Sequence, residues 1–170
     1  DCLLSRGLGD VYKRQEIESV AKAADKYGIK VIYDNHQWHT SSWLERKGTG
    51  FPTLLFLNNT KYTKGGGGNT PDPAAQLFWA DWWNRSVKDG QGRDGWTLLA
   101  DFLKKIVGVV DNHPSTLGYE ILSEPHVDKA TQWPQLGQFN TFIVGELRNA
   151  TQKTIAYSIC LLYTSDAADD

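Results

Sequence analysis

Residues 118 to 126 read Gly-Tyr-Glu-Ile-Leu-Ser-Glu-Pro-His. The first part is apolar and strand-like, and Glu124 stands where that strand runs out. A second strand-like run, residues 29 to 34, ends in Asp34-Asn35-His36. Carboxylates and imidazoles at strand ends are placed for acid–base work on a bound molecule. One reaction that needs them is cleavage of a glycosidic bond. A proton must reach the leaving oxygen while negative charge sits opposite the anomeric carbon, and two carboxyl groups supply both. Glu124, at a strand end among aromatic residues, has the setting of the acid. Glu120 lies inside the same strand and Glu146 on a helical stretch, so neither is expected to be its partner.

These residues need a scaffold. Glu16 to Tyr27 has helical apolar spacing at Ile17, Val20, Ala21 and Ala24, with Gly28 as the stop. Strand 29–34 follows, then a polar-aromatic loop over residues 35–52. The Gly-rich stretch 64–73 is a loop without the Gly-Lys-Ser/Thr spacing of a phosphate cradle. A helix is predicted over 74–87. A stronger one spans 96–110, where Trp96, Leu99, Phe102, Leu103, Ile106, Val107 and Val110 form one stripe. Its end is set by Asn112-His113-Pro114, because proline disfavours helix at the residue before it. Strand 117–122, a helix over 139–149 and a strand over 153–159 complete the order. Strands alternating with helices imply parallel strands joined by crossovers. Apolar runs such as Lys30–Tyr33 and Tyr119–Leu122 fit a sheet covered on both faces. The fold class is therefore α/β, with about three parallel strands. In such folds both polar strand ends fall on the catalytic rim, and His113 falls on the opposite, structural face.

The composition narrows the function. With 40% hydrophobic and 22% charged residues, the chain is globular rather than disordered. A net charge of -2 gives no nucleic-acid footprint and no basic membrane patch. Seven tryptophans and seven tyrosines fit a large aromatic core or flat platforms for sugar rings.

The ends read differently. Back-translation of Asp10–Gln15 gives a DNA whose reverse complement, read one base later, encodes Cys160–Thr164 and the start of a serine codon. One DNA sequence thus accounts for both ends, in opposite orientations, and it resembles a transposon-end sequencing adapter. Residues 1–15 and 160–170 are expected to be adapter-derived, leaving 16–159 as the native domain. Both cysteines, Cys2 and Cys160, lie in those ends, so no redox compartment follows from them. The sequence has no methionine, which fits either a processed mature protein or a piece of a longer parent.

Within 16–159, the runs Tyr27–Trp38 and Trp96–His126 resemble glycoside hydrolase family five, the cellulase and mannanase family. That family pairs a strand ending in Asp-x-His with a His-Pro turn and a strand ending in Asn-Glu-Pro. The resemblance implies a partial (β/α)8 TIM barrel that lacks its first two and last three strands. It implies that Glu124 is the general acid/base of a retaining mechanism and that His36 lines the sugar subsite. The nucleophile glutamate is then expected on a later strand, outside this chain. Trp38 and Trp43 are candidate stacking platforms, and His39 is a further candidate contact. Ser123 occupies the family's asparagine position, where the amide contacts the sugar 2-hydroxyl, so a shorter hydroxyl stands there. The resemblance calls for no cofactor and no metal. It implies a polysaccharide or oligosaccharide substrate, no nucleic-acid or membrane partner, and a secreted, monomeric parent. An endo-acting β-glucanase leads; a mannanase or xylanase, a sugar-binding pseudoenzyme and an unrelated α/β domain stay open. The chain alone is expected to be inactive.

Overall fold

The structure, a computed structural model, describes residues 8–45, 48–57, 61–62, 73–127 and 130–158. Helix α1 (Leu8–Tyr27) leads into strand β1 (Val31–Asp34). A long excursion holds the short helix α2 (Leu54–Leu57) and α3 (Pro73–Trp83). Helix α4 (Gly95–Val110), strand β2 (Thr116–Glu120), a 3₁₀ turn (Ala130–Gln132), helix α5 (Trp133–Arg148) and strand β3 (Thr154–Ala156) follow. The strands lie in the order β1-β2-β3, both pairs parallel, with Asp34 opposite Glu120 and Glu120 opposite Ala156. This is the predicted sheet, an arc of a (β/α)8 barrel with crossover helices.

Close strand approach shapes the arc. At Gly118 a Cβ would lie 2.3 Å from the carbonyl oxygen of Thr154, so no side chain fits there. Exposure alternates along β1. Val31 and Tyr33 are half-buried, whereas Ile32 and Asp34 are exposed. Tyr33 stacks on Tyr119 with ring centroids 6.1 Å apart. Ile32 is 56% exposed on the sheet's bare face, which further strands would line in a closed barrel. The sheet is therefore not covered on both sides among the described residues, contrary to the sequence expectation.

Helix α4 follows its sequence pattern. Trp96, Leu103, Val107 and Val110 are buried, and Leu99, Phe102 and Ile106 pack at the margin. Each full burial contributes about 1.5–3 kcal/mol. Asp94 caps the helix, accepting from the backbone N–H of Trp96 at 3.1 Å and of Thr97 at 3.2 Å. Arg85 forks onto the same carboxylate from Nε at 3.2 Å and Nη2 at 2.9 Å.

Helix boundaries differ from the sequence reading for local reasons. Helix α3 stops at Trp83 rather than at residue 87, because Arg85 takes a left-handed φ of 56°. Helix α5 starts at Trp133 rather than 139, with a proline in its first turn, where the missing N–H has no helical partner to lose. Helix α1 starts at Leu8 rather than Glu16, extended by its own backbone bonds and a Lys13–Glu16 pair. Tyr12 is exposed, and packing onto the core begins at Ile17. Residues 64–72 of the Gly-rich loop lie outside the described residues.

The aromatic surplus goes mainly to the core. Trp79, Trp82, Trp83 and Trp96 are all buried. Trp82, Trp83 and Trp96 each meet Phe139 of α5 at centroid distances of 6.0, 5.8 and 5.3 Å. Such pairs add about 0.5–1.5 kcal/mol each beyond their area.

Candidate active site

Because the strands are parallel, the segments after β1 and β2 leave the sheet at the same rim. Beyond the last strand pairs, backbone bonds and then side-chain amides continue the ladder. The backbone N–H of Asn35 donates to Glu120 O at 3.1 Å, and that of Ser123 donates to Asn35 O at 3.3 Å. Asn35 Nδ2 then donates to Ile121 O at 3.0 Å. One step further, Gln37 Nε2 donates to Ser123 O at 2.6 Å and to Glu124 O at 3.0 Å. The strand-like alternation therefore persists past β1. Asp34 and His36 are exposed, whereas Asn35 is half-buried and Gln37 is buried.

Glu124 is half-buried and has a left-handed φ of 47°. For a residue with a side chain this costs on the order of 1–3 kcal/mol, and such strain concentrates at functional sites. The two hydrogen bonds from Gln37, at about 0.5–1.5 kcal/mol each, are of the same size. His36 Nδ1 lies 3.0 Å from Asp34 Oδ2, which orients the ring. Its Nε2 makes no hydrogen bond among the described residues. Ser123 is buried beside Glu124. On the far side of the glutamate, Trp83 Nε1 donates to His126 O at 2.8 Å, anchoring that segment to the aromatic core.

The remaining sequence candidates divide. Trp38 is 44% exposed, and its backbone pairs in antiparallel fashion with Thr49. His39, half-buried with a φ of 59°, meets Trp38 edge-on at 4.6 Å. Trp43 is half-buried and stacks on Phe56 at 5.6 Å and 15°, so one ring face is already occupied by the core. The structure thus places Glu124, Ser123 and His36 at one rim, keeps Trp38 and His39 on the loop leaving it, and turns Trp43 toward the core. Glu120 accepts a hydrogen bond from Ser158 Oγ across the sheet. Gln37 escaped the sequence reading. Its only signal is its place next to His36 in an alternating extension of β1.

No family model matches this chain. An endoglycoceramidase of Hydra vulgaris is 29% identical, over 75% of this chain and 30% of that protein. Among solved structures, an endogalactoceramidase superposes with a TM-score of 0.69 at 19% identity, covering 88% of this chain and 36% of that one. Endo-glycoceramidase II from Rhodococcus sp. superposes with a TM-score of 0.64 at 16% identity, again over 88% of this chain and 36% of that one. The chain therefore spans only 30% to 36% of the length of these relatives. At these identities the structural likeness establishes the fold: part of the barrel on which those proteins are built.

Proposed function

We propose that this chain is the acid/base-bearing portion of a retaining glycoside hydrolase, with Glu124 as general acid and then general base. The single observation behind this reading is the placement of Glu124. A carboxylate in a strained conformation follows β2, on the rim where His36 stands oriented, its Nε2 without a hydrogen bond among the described residues. In the first step Glu124 protonates the glycosidic oxygen while a second carboxylate attacks the anomeric carbon. In the second step Glu124 takes a proton from the water that releases the sugar. The two carboxyl groups of a retaining pair stand about 5–5.5 Å apart. We place the second one on a strand of the parent beyond this chain. His36, Ser123, Trp38 and His39 are the proposed sugar contacts, with Trp43 a weaker platform because of its stacking on Phe56.

The proposed substrate is a glycan joined through its reducing end to a ceramide-like lipid. The sequence likeness to an endoglycoceramidase supports this choice over mannan or xylan. Residues 1–15 and 160–170 remain proposed as adapter-derived; genomic DNA encoding them in frame with the domain would refute that.

The test uses the full-length parent and its Glu124→Gln variant on glycoceramide, carboxymethyl cellulose, mannan and xylan. Glycoceramide turnover is expected, falling roughly 10²- to 10⁴-fold in the variant. Turnover on a polysaccharide alone would move the substrate to that polymer. Sugar binding without hydrolysis would make the parent a binding protein. The 170-residue chain alone is expected to hydrolyse none of the four.

A further inference from the structure

We propose that Gln37 is a positioning residue for Glu124, a role that rests on the general-acid reading above. A single amide nitrogen reaches two consecutive carbonyls, Ser123 O at 2.6 Å and Glu124 O at 3.0 Å. Those carbonyls belong to the two peptide planes that flank the Glu124 Cα. Rotation about φ of Glu124 moves one plane against the other, and rotation about ψ does the same from the other side. Holding both oxygens on one nitrogen therefore fixes both angles. It holds the left-handed φ of 47° that directs the Glu124 side chain.

The local chain cannot do this by itself. Pro125 follows, has no N–H to donate, and disfavours a helical conformation at the residue before it. Released from Gln37, Glu124 would relax toward the extended region, and its carboxyl group would move with the backbone.

Gln37 is itself locked. It is 2% exposed. Gly50 packs against it with a φ of +121°, and a Cβ there would lie 2.4 Å from Gln37 Cβ. The paired backbone bonds between Trp38 and Thr49, at 2.8 and 2.9 Å, close the loop behind it. Gln37 Oε1 is buried with no hydrogen-bond partner among the described residues. For folding alone, an apolar residue of the same size would remove that unsatisfied acceptor. What an apolar residue cannot supply is the pair of N–H donors. Gln37 also borders an apolar cavity of about 90 Å³, with Phe51, Leu55, Trp82 and Phe102, which gives methionine room to pack.

The experiment compares Gln37→Met, Gln37→Glu and Glu124→Ala in the full-length parent. Each is assayed on two glycosides of one sugar, with a dinitrophenyl or an alkyl leaving group, and kcat/KM is read because it reports the first, glycosylation step. A dinitrophenolate leaves without a proton, whereas an alkoxide needs one. Glu124→Ala should lose far more on the alkyl glycoside; equal losses would refute the acid assignment itself, whatever Gln37 does. Gln37→Met should lose roughly 10- to 100-fold on the alkyl glycoside, as expected for a displaced catalytic group, and at least tenfold less on the dinitrophenyl glycoside. An equal loss on both, or none, while Glu124→Ala behaves as stated, would overturn the proposal for Gln37 alone. If Gln37→Met shows no cooperative melt, Gln37→Glu decides. Its carboxyl can donate only while protonated, and then through a single O–H, so part of the alkyl-glycoside activity should be retained at acid pH and lost as that carboxyl ionises. A pH profile parallel to wild type would overturn the proposal.

Discussion

At the N-terminal end of the sheet, Asp25, His113 and Ser115 meet, three residue types familiar from nucleophilic catalysis. Asp25 Oδ2 lies 2.6 Å from His113 Nδ1, and its Oδ1 accepts from the backbone N–H of Ser115 at 2.7 Å. Ser115 Oγ, however, donates to Ala21 O at 3.3 Å rather than to the imidazole. Lys153 Nζ donates to His113 O at 2.9 Å and Thr116 O at 2.8 Å, and Lys30 Nζ to Pro114 O at 2.7 Å. These bonds tie α1, the turn before β2 and the start of β3 together, and they absorb the polar groups in doing so. The opposite end holds similar chemistry in a different state. Among the described residues, His36 is oriented by Asp34 but offers Nε2, and Glu124 is held in strain by donors to its backbone rather than to its carboxyl group. Residue type does not distinguish the two ends. What distinguishes them is whether the fold has already used the functional groups.

Exchanging perturbations between the two ends should expose this difference. Glu124→Gln in the parent is expected to lower kcat roughly 10²- to 10⁴-fold and to leave the melting temperature near wild type. His113→Ala is expected to do the reverse, leaving kcat within about threefold and lowering the melting temperature by several degrees, because it breaks a part-buried hydrogen bond to Asp25. Steady-state kinetics beside calorimetry would decide, and a large kinetic effect from His113→Ala would erase the distinction between the ends.

His36→Ala should cost roughly 10- to 100-fold in kcat/KM, the range for losing a charged or strongly polar contact to substrate. Unchanged kinetics would remove His36 from the sugar subsite.

Acid should unlock the structural end. The hydrogen bonds from Ser115 first, and from His113 next, hold the Asp25 carboxyl down from 3.8 to about 2. A folded-state pKa below the unfolded value contributes stability that is fully present above about pH 4 and is lost as pH falls toward 2. Thermal melts between pH 6 and pH 2 should therefore show a decline below pH 4 that is smaller in Asp25→Asn. An identical decline in both proteins would show that Asp25 does not drive it.

The smallest effect is expected at Ser123→Asn. A restored amide contact to the sugar 2-hydroxyl is worth about one hydrogen bond, or roughly a 2- to 10-fold rise in kcat. A fall instead would mean that the buried serine is fitted to its site.

Local patterning determined a good deal of this. Apolar β-branched runs bounded by glycine and proline set β1 and β2, and the heptad-like stripe set α4, because burial of one face writes its period into the sequence. Alternation of strands and helices made the sheet parallel, and parallel strands put His36 and Glu124 at one rim. Tertiary structure decided the rest. The destination of the tryptophans depends on which distant rings they meet, so Trp82, Trp83 and Trp96 went to Phe139 while Trp38 stayed at the surface. The ends of α3 and α5 were fixed by a left-handed Arg85 and by a proline in the first turn of α5, not by apolar spacing. The hold of Gln37 on Glu124 spans 87 positions of chain and joins a side chain to a backbone carbonyl. A bond of that kind has no period and no motif, since any backbone offers the same carbonyl, and only the packing of one loop against another selects which one is reached.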